Sequence, residues 1–213
     1  MKNKNRYFLI ALLMCTSGLY AQLGIKAGVN MSNEIKSFSQ TDIAAGFNSN
    51  NLTGYQFGLV YQAMPKSGLG IEIAALISQK GSTFHFDSTD VANTLKDGYK
   101  ELNYLEVPLN LRYRLTLGFI GFYGFGGIYG GYALSGKTVN ETDNTSENET
   151  FLTFTEHVDY GYNFGAGIEL FKKIQLGGTM SQGLKNTVNA SANIPQPTTV
   201  TNRVFSVNLV YMF

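Results

Sequence analysis

Apolar and polar residues alternate with a period of two along most of the chain, which is typical of β-strands with one apolar face. The alternation is clearest in residues 105–115, where every odd position is Leu, Val or Tyr. The even positions of this segment are Glu106, Pro108, Asn110, Arg112 and Arg114. Similar alternation occurs in residues 69–78, 160–170 and 205–213. Because the sequence after residue 21 has no apolar run of about 18 residues, it does not predict a membrane-spanning helix.

The pattern predicts eight strands whose connections alternate between short and long. The short connections are residues 64–68, 115–118 and 172–173, and the long, polar ones are residues 31–52, 81–98, 135–155 and 183–201. Short turns at one end and long loops at the other are typical of an outer-membrane barrel. We therefore predict an all-β fold, an eight-stranded antiparallel up-and-down transmembrane β-barrel. Its predicted strands are residues 22–30, 53–63, 69–80, 99–114, 119–134, 156–171, 174–182 and 202–213.

The charged residues of these strands share the small or polar face, which would be the interior of a membrane barrel. An eight-stranded barrel is just wide enough for side chains to fill its interior. Because unpaired buried charges are unfavourable, we expect bases and acids to pair there as a structural plug, with a gate or proton path as the alternative. Four of them, at positions 26, 72, 112 and 169, are predicted to form a layer near the short turns. The predicted luminal network is Lys26, Glu72, Glu106, Arg112, Arg114 and Glu169.

Aromatic residues occur near both ends of the predicted strands, as expected where rings lie at the depth of the lipid headgroups. The faces of residues 119–134 cannot be assigned, because glycines occur in both registers. The residues predicted to form the two aromatic belts are Tyr55, Tyr61, Tyr104, Tyr113, Tyr129, Tyr160, Phe171, Phe205, Tyr211 and Phe213.

Residues 1–21 have the layout of a secretory signal peptide: a basic start, an apolar core at residues 7–14 and a small, polar end. We predict cleavage after Ala21, which leaves residues 22–213 as the barrel domain. The sole cysteine, Cys15, would be removed. A lipoprotein signal is the alternative, but Met14 is bulky at a position where a small residue is expected.

Composition excludes one large class of function. Charged residues make up 15% of the chain and the net charge is +1, which becomes −2 without the signal peptide (13 basic and 15 acidic residues). A polybasic nucleic-acid-binding protein is therefore excluded.

Candidate catalytic and metal-binding groups are sparse. His85 and His157 lie at predicted loop-side strand ends, with Ser82, Ser88, Glu156 and Asp159 nearby in sequence, so an outer-membrane lipid hydrolase is one alternative. The acidic loop at residues 139–159 lacks the spacing of a calcium-binding hand, and no helix follows the glycines at residues 124–127 to form a phosphate loop. We therefore predict no catalytic, cofactor-binding or metal-binding residues and expect no enzymatic activity. The loop acids are Glu141, Asp143, Glu147 and Glu149.

Three segments carry a family resemblance. The C-terminal residues Val207, Leu209, Tyr211 and Phe213 resemble the signature by which Gram-negative barrels are recognised for assembly. Residues 24–30 and 103–113 are similar to strands of the PorT-like outer-membrane β-barrel family of Bacteroidetes, small barrels of the OmpX/OmpA type.

The resemblance implies an integral protein of the Gram-negative outer membrane. Because the predicted strand number is even, both termini are expected on the short-turn, periplasmic side. We expect no cofactor for this protein. Its expected partners are outer-membrane lipid, lipopolysaccharide, the barrel-assembly machinery and secretion-system subunits. The resemblance does not specify an activity. From the long, polar loops we expect a non-enzymatic structural, adhesion or secretion-accessory role on the extracellular side. A small transport barrel for small or apolar ligands is the alternative.

Overall fold

The computed structural model describes residues 20–37, 47–86, 98–140, 145–148, 157–185 and 199–213. Nine antiparallel strands form one sheet, and a pairing of the fourth strand with the fifth closes it into a barrel. The short sixth strand pairs only with the fifth, so eight strands form the wall, which confirms the predicted fold class. The strands are β1 (Tyr20–Ser37), β2 (Phe47–Met64), β3 (Gly68–Phe86), β4 (Gly98–Leu117), β5 (Ile120–Asn140), β6 (Thr145–Asn148), β7 (Val158–Leu170), β8 (Ile174–Gly183) and β9 (Thr199–Met212).

Several strands continue further on the loop side than the sequence predicts. β3 reaches Phe86 and β5 reaches Asn140, six residues beyond each predicted end. The β5 extension is polar apart from Val139. In the β3 extension Phe84 and Phe86 occupy even positions, whereas the apolar residues of 69–77 that carry the alternation are odd. Neither extension therefore continues the alternation on which the prediction depends, although their backbones still pair. β6 lies in a segment predicted to be a loop. Residues 1–19, most of the predicted signal peptide, lie outside the described residues.

The outer surface of the barrel carries an apolar band. On β4 the odd-numbered side chains from Leu105 to Leu117 are 41–61% exposed, whereas the even-numbered ones from Leu102 to Arg114 are buried. Twelve residue steps of about 3.4 Å, tilted by about 45°, correspond to a height of about 29 Å. That height matches the hydrocarbon core of a bilayer. Among the described residues, no helix is long and apolar enough to cross a membrane.

β5 is the strand whose faces the sequence does not assign. In the structure Tyr123 and Tyr129 are buried inside the barrel, whereas Phe122 and Ile128 are exposed outside it. The belt prediction is therefore wrong for Tyr129, and also for Tyr104, each of which is only 3% exposed. The other eight predicted belt residues lie on the outer surface: Tyr55, Tyr61, Tyr113, Tyr160, Phe171, Phe205, Tyr211 and Phe213.

Candidate functional site in the barrel lumen

The lumen holds eight buried charged side chains among the described residues, four cationic and four anionic. Their formal charges therefore cancel. Six of them are the predicted network, and the remaining two, Lys80 and Asp159, are not predicted from the sequence. The eight are Lys26, Lys80, Arg112, Arg114, Glu72, Glu106, Asp159 and Glu169.

The charges nearest the short turns form the lower charge layer, defined as Glu72, Arg112, Arg114 and Glu169 together with the amides of Gln62 and Gln175. Arg112 donates a hydrogen bond from Nη1 to Oε2 of Glu72 and another from Nη2 to Oε1 of Gln175, at 2.9 Å. Gln62 donates to Oε2 of Glu72 at 2.7 Å. The amide of Asn110 donates to the second carboxylate oxygen of Glu72, Oε1, at 3.2 Å. Both oxygens of this carboxylate therefore accept hydrogen bonds.

Gln175 connects opposite parts of the barrel wall. Its side chain bonds Gln62 on β2 and Arg112 on β4, and each of these strands lies three positions from β8 around the barrel. Its Nε2 also donates to Oε2 of Glu169 at 2.8 Å. These hydrogen bonds therefore cross the lumen, rather than following one side of the wall.

Arg114 and Tyr123 complete the lower charge layer. Nη1 of Arg114 lies 3.0 and 3.1 Å from the two carboxylate oxygens of Glu169, and its Nη2 donates to the carbonyl oxygen of Pro65 at 2.6 Å. The ring centroid of Tyr123 lies 3.6 Å from Cζ of Arg112, a cation–π contact. The guanidinium groups of Arg112 and Arg114 are thus each contacted by more than one neighbouring residue.

A second group of charges, the upper charge layer, consists of Lys80, Glu106 and Asp159. Nζ of Lys80 lies 3.0 Å from Oε2 of Glu106 and 3.7 Å from Oδ2 of Asp159. The same ammonium lies 4.5 Å from the ring centroid of Tyr129 and 5.3 Å from that of Tyr104. The two tyrosines that were predicted for the membrane surface therefore surround a buried cation.

Asp159 is also bonded by neutral groups, since its Oδ2 accepts hydrogen bonds from the hydroxyl of Tyr129 at 3.3 Å and from the amide of Asn202 at 3.2 Å.

Lys26 differs from the other luminal cations because it interacts with acids of both layers. It is buried, and its charge is attracted by Glu72 of the lower layer and Glu106 of the upper layer. The predicted network is therefore divided between two layers, and Lys26 interacts with both.

Of the candidate hydrolase residues, the structure describes the side chains of Ser82, His157 and Asp159. Nδ1 of His157 lies 2.7 Å from the carbonyl oxygen of Ala133, and its ring stacks on Tyr132 at 4.7 Å. Ser82 is buried, and Oδ2 of Asp159 contacts Lys80 and two neutral groups. The side chain of His85 is not described, and Ser88 and Glu156 lie outside the described residues.

No group of three or more His, Cys, Asp or Glu side chains in the described part of the chain could hold a metal ion. Of the acidic loop, Glu141, Asp143 and Glu149 lie outside the described residues, and Glu147 is described only as part of the β6 backbone. Three residues of the predicted assembly signature lie on the outer face of β9, which pairs with β1 and β8: Val207, Leu209 and Tyr211. The fourth, Phe213, is exposed directly after the end of that strand.

Solved outer-membrane proteins resemble this structure at low sequence identity. The crystal structure of the outer membrane protein OprG from Pseudomonas aeruginosa has a TM-score of 0.51 and 14% identity, with 93% of this chain and 98% of that chain covered. Neisserial surface protein A (NspA) has a TM-score of 0.47 and 8% identity, with coverage of 91% and 99%. Ail, the attachment invasion locus protein of Yersinia pestis, has a TM-score of 0.44 and 15% identity, with coverage of 91% and 99%. At such identities the likeness shows the fold alone.

A search of curated proteins gives no significant match. The family model described as an outer membrane protein beta-barrel domain matches residues 4–189, which is most of the chain. This match agrees with the apolar outer band and the polar lumen of the structure. The chain therefore belongs to the outer membrane protein β-barrel domain family, which places it in the outer membrane of a Gram-negative bacterium.

Proposed function

We propose that this protein is a non-enzymatic, non-conducting outer-membrane barrel, similar to PorT-like barrels, that acts through its loop side. Its role is structural, adhesive or secretion-accessory, and its termini and short turns lie in the periplasm. The observation that carries the proposal is the set of hydrogen bonds that Gln175 makes across the lumen with Gln62 and Arg112.

The lower charge layer supports a closed barrel. An ion that entered from the short-turn side would have to break the Arg112–Glu72 and Arg114–Glu169 pairs, all of whose members are at most 5% exposed. Separating such a pair leaves a buried charge without its partner, which typically costs about 3–5 kcal/mol. Among the described residues, the buried charges of the lumen also show no excess of either sign, which a pore selective for one sign of ion would need.

The strand extensions support a role for the loop side. β4 and β5 remain paired from Leu105 up to Gly98 and Asn140, beyond the last exposed leucine of β4. Seven residue steps at the same tilt raise the end of this hairpin about 17 Å above Leu105. A paired extension of this height places its own end above the lipid surface, where a macromolecular partner can reach it.

Orientation is tested by labelling single cysteines in intact cells. Lys137→Cys places the thiol on the exposed upper part of β5, and Lys173→Cys places it in the exposed turn before β8. A membrane-impermeant maleimide should label the Lys137→Cys variant in intact cells and the Lys173→Cys variant only after the outer membrane is opened. The reverse pattern would contradict the proposed orientation.

The role itself is tested by crosslinking at the same two positions. A photo-crosslinker at Lys137 should capture secretion subunits or a defined surface partner that the crosslinker at Lys173 does not capture. Uptake of small apolar ligands into liposomes that contain the wild-type protein would instead favour the transport alternative. A change in outer-membrane lipid composition caused by the wild-type protein and abolished by His157→Ala would show a lipid hydrolase.

A further inference from the structure

The pairing of β2 with β3 is interrupted on the loop side of the barrel. Residues 52–55 of β2 lie opposite residues 79–81 of β3, and these two segments do not pair with each other. Pairing resumes both above and below them. We propose that this interruption, the β2–β3 seam, is a lateral gate that connects the upper lumen with the headgroup region of the loop-side leaflet. The proposal is independent of the role assigned to the loops.

The ladders on both sides of the seam are intact. β1 pairs with β2 up to Ser32–Leu52, and β3 pairs with β4 from Ser78 to Phe84 without a break. Within the seam, β2 contains one residue more than β3, which is the definition of a bulge and accounts for the shift of register. Strand pairing therefore holds the seam at its two ends but not along its length.

A polar side chain of β1 substitutes for part of the missing ladder. Nδ2 of Asn30 donates to the carbonyl oxygen of Tyr55 on β2 at 3.2 Å and to that of Gln79 on β3 at 3.0 Å. Its Oδ1 accepts from the hydroxyl of Ser206 on β9 at 2.8 Å, which holds the amide from the opposite side. Asn30 is only 1% exposed, so it closes the seam from inside the barrel.

Ser32 acts in the same way, two residues further along β1. Its hydroxyl donates to the carbonyl oxygen of Leu52 at 3.2 Å and accepts from the amide of Gly81 at 2.8 Å. Side chains thus make the hydrogen bonds that join β2 to β3 along the seam. Rotation of two side chains is enough to release them, whereas a regular ladder opens only when backbone hydrogen bonds along the strand break together.

The seam is closed in the structure because the two backbones approach each other closely at Gly54. A Cβ atom added to Gly54 would lie 2.5 Å from the carbonyl oxygen of Gln79, closer than two such atoms can approach. The side chain of Leu52 covers Gly81, since a Cβ atom added to Gly81 would lie 2.7 Å from Cδ2 of Leu52. Close packing and two side chains of β1, rather than a ladder, therefore keep the seam shut.

The depth of the seam allows it to open at low cost. Ile77 pairs with Leu105 at the upper edge of the apolar band and lies two residue steps below Gln79 and four below Gly81. At about 3.4 Å per step and a tilt of about 45°, the seam lies about 5–10 Å above that edge. At this height, backbone groups that separate can bond water or lipid headgroups, which is impossible in the hydrocarbon core.

Charged side chains lie directly behind the seam. Lys80 is on the inner face of β3 between Gln79 and Gly81, is 2% exposed and contacts Glu106 and Asp159 of the upper charge layer. A group that enters through the seam therefore meets an ammonium and two carboxylates, which favours polar headgroups over acyl chains. The lower charge layer is not part of the seam, so an open gate leaves the barrel closed toward the short turns.

Hydrogen exchange in phosphatidylcholine nanodiscs tests whether the seam opens. In the wild type, the amides of residues 52–55 and 79–81 should exchange at least about tenfold faster than those of residues 204–206, which are paired on both sides. Asn30→Ala should accelerate the seam amides by a further tenfold or so, because it leaves two carbonyl oxygens without a donor. Asn163→Ala is the matched control: Asn163 is a buried luminal asparagine on β7, at least three positions from β2 and β3 around the barrel.

A second arm tests whether the opening reaches the lumen. Ser82→Cys places a thiol on the inner face beside the seam, where Ser82 is fully buried and its hydroxyl has no hydrogen-bond partner among the described residues. The one native cysteine, Cys15, lies in the predicted signal peptide. The probe is a maleimide attached to the headgroup of phosphatidylethanolamine, so it approaches from the membrane. Its reaction should become about tenfold faster when Asn30→Ala is added, or Gly54→Ala, whose new methyl group wedges the seam apart.

Faster exchange and faster labelling in the Asn30→Ala and Gly54→Ala variants, without a change in the Asn163→Ala variant, would support the gate. Wild-type seam amides that exchange no faster than those of residues 204–206 would overturn it, whatever the variants do. Labelling that stays unchanged in the folded variants would also overturn it. So would equal acceleration by Asn163→Ala, because that result means a general loosening of the barrel.

Discussion

The Glu72–Arg112 pair offers the most informative perturbation of the proposed luminal plug. Arg112→Met removes the cation, keeps a chain of similar length and leaves Glu72 with its amide partners. Glu72→Gln removes the anion and leaves the guanidinium beside Gln175 and the ring of Tyr123. The double variant removes both charges.

The expected magnitude follows from burial, since both side chains are at least 95% buried. Breaking a buried pair by removing one partner typically destabilises by about 3–5 kcal/mol, because the other charge stays buried without compensation. Replacing both partners typically costs much less than the sum of the losses caused by the two single substitutions. We therefore expect about 3 kcal/mol or more for each single variant, and a coupling energy of about 1–3 kcal/mol in the double variant.

The assay is reversible urea unfolding of the refolded barrel in lipid vesicles. The chain contains no tryptophan, so far-UV circular dichroism is the appropriate signal. Arg203→Met is the matched control: Arg203 is exposed on β9 and bonds Gln182 at 3.0 Å outside the lumen. Its loss should change the free energy of unfolding by about 0.5 kcal/mol or less.

Additive single and double variants would refute the reasoning, because independent effects mean that the two charges do not stabilise each other. A loss below about 1 kcal/mol for Arg112→Met would also refute it, since such a value is typical of an exposed ion pair rather than a buried one.

Two further predictions concern the barrel wall, and unfolding free energies check both. Gly127→Ala should destabilise by about 1–3 kcal/mol, because the new Cβ would lie 2.0 Å from the carbonyl oxygen of Leu109. Gly130→Ala, with nothing within 4 Å, should be neutral or slightly stabilising, and equal effects of the two would contradict the register. Leu111→Arg in the middle of the apolar band should cost about 2–4 kcal/mol, against about 0–1 kcal/mol for Leu117→Arg at its edge. Equal losses at the two depths would argue against the proposed position of the bilayer.

Much of the lumen is predictable from the rule that odd-numbered and even-numbered residues of a strand face opposite sides of the sheet. The alternation in β4 places Arg112 and Arg114 inside because Leu111 and Tyr113 are outside. The same rule would have found Lys80, which shares its face of β3 with Glu72. It would also have placed Tyr104 inside, since the next residue is an outward-facing leucine. The belt prediction used only distance from the strand ends and therefore misplaced this tyrosine.

Other features depend on contacts that one strand's pattern does not contain. The faces of β5 follow from its pairing with β4 and β7, because its glycines occur on both faces. The hydrogen bonds of Gln175 across the lumen depend on how the closed barrel is staggered. β6 pairs within a polar segment that has no alternation.

The central claim is that the lumen is closed, and single-channel recording in planar bilayers tests it most directly. The purified wild-type protein should show no steady conductance over long recordings at moderate voltage. An Arg112→Ala/Gln175→Ala variant, which loses the hydrogen bonds across the lumen, should show openings that the wild type lacks. Reproducible, large and stable channels formed by the wild-type protein would contradict the account.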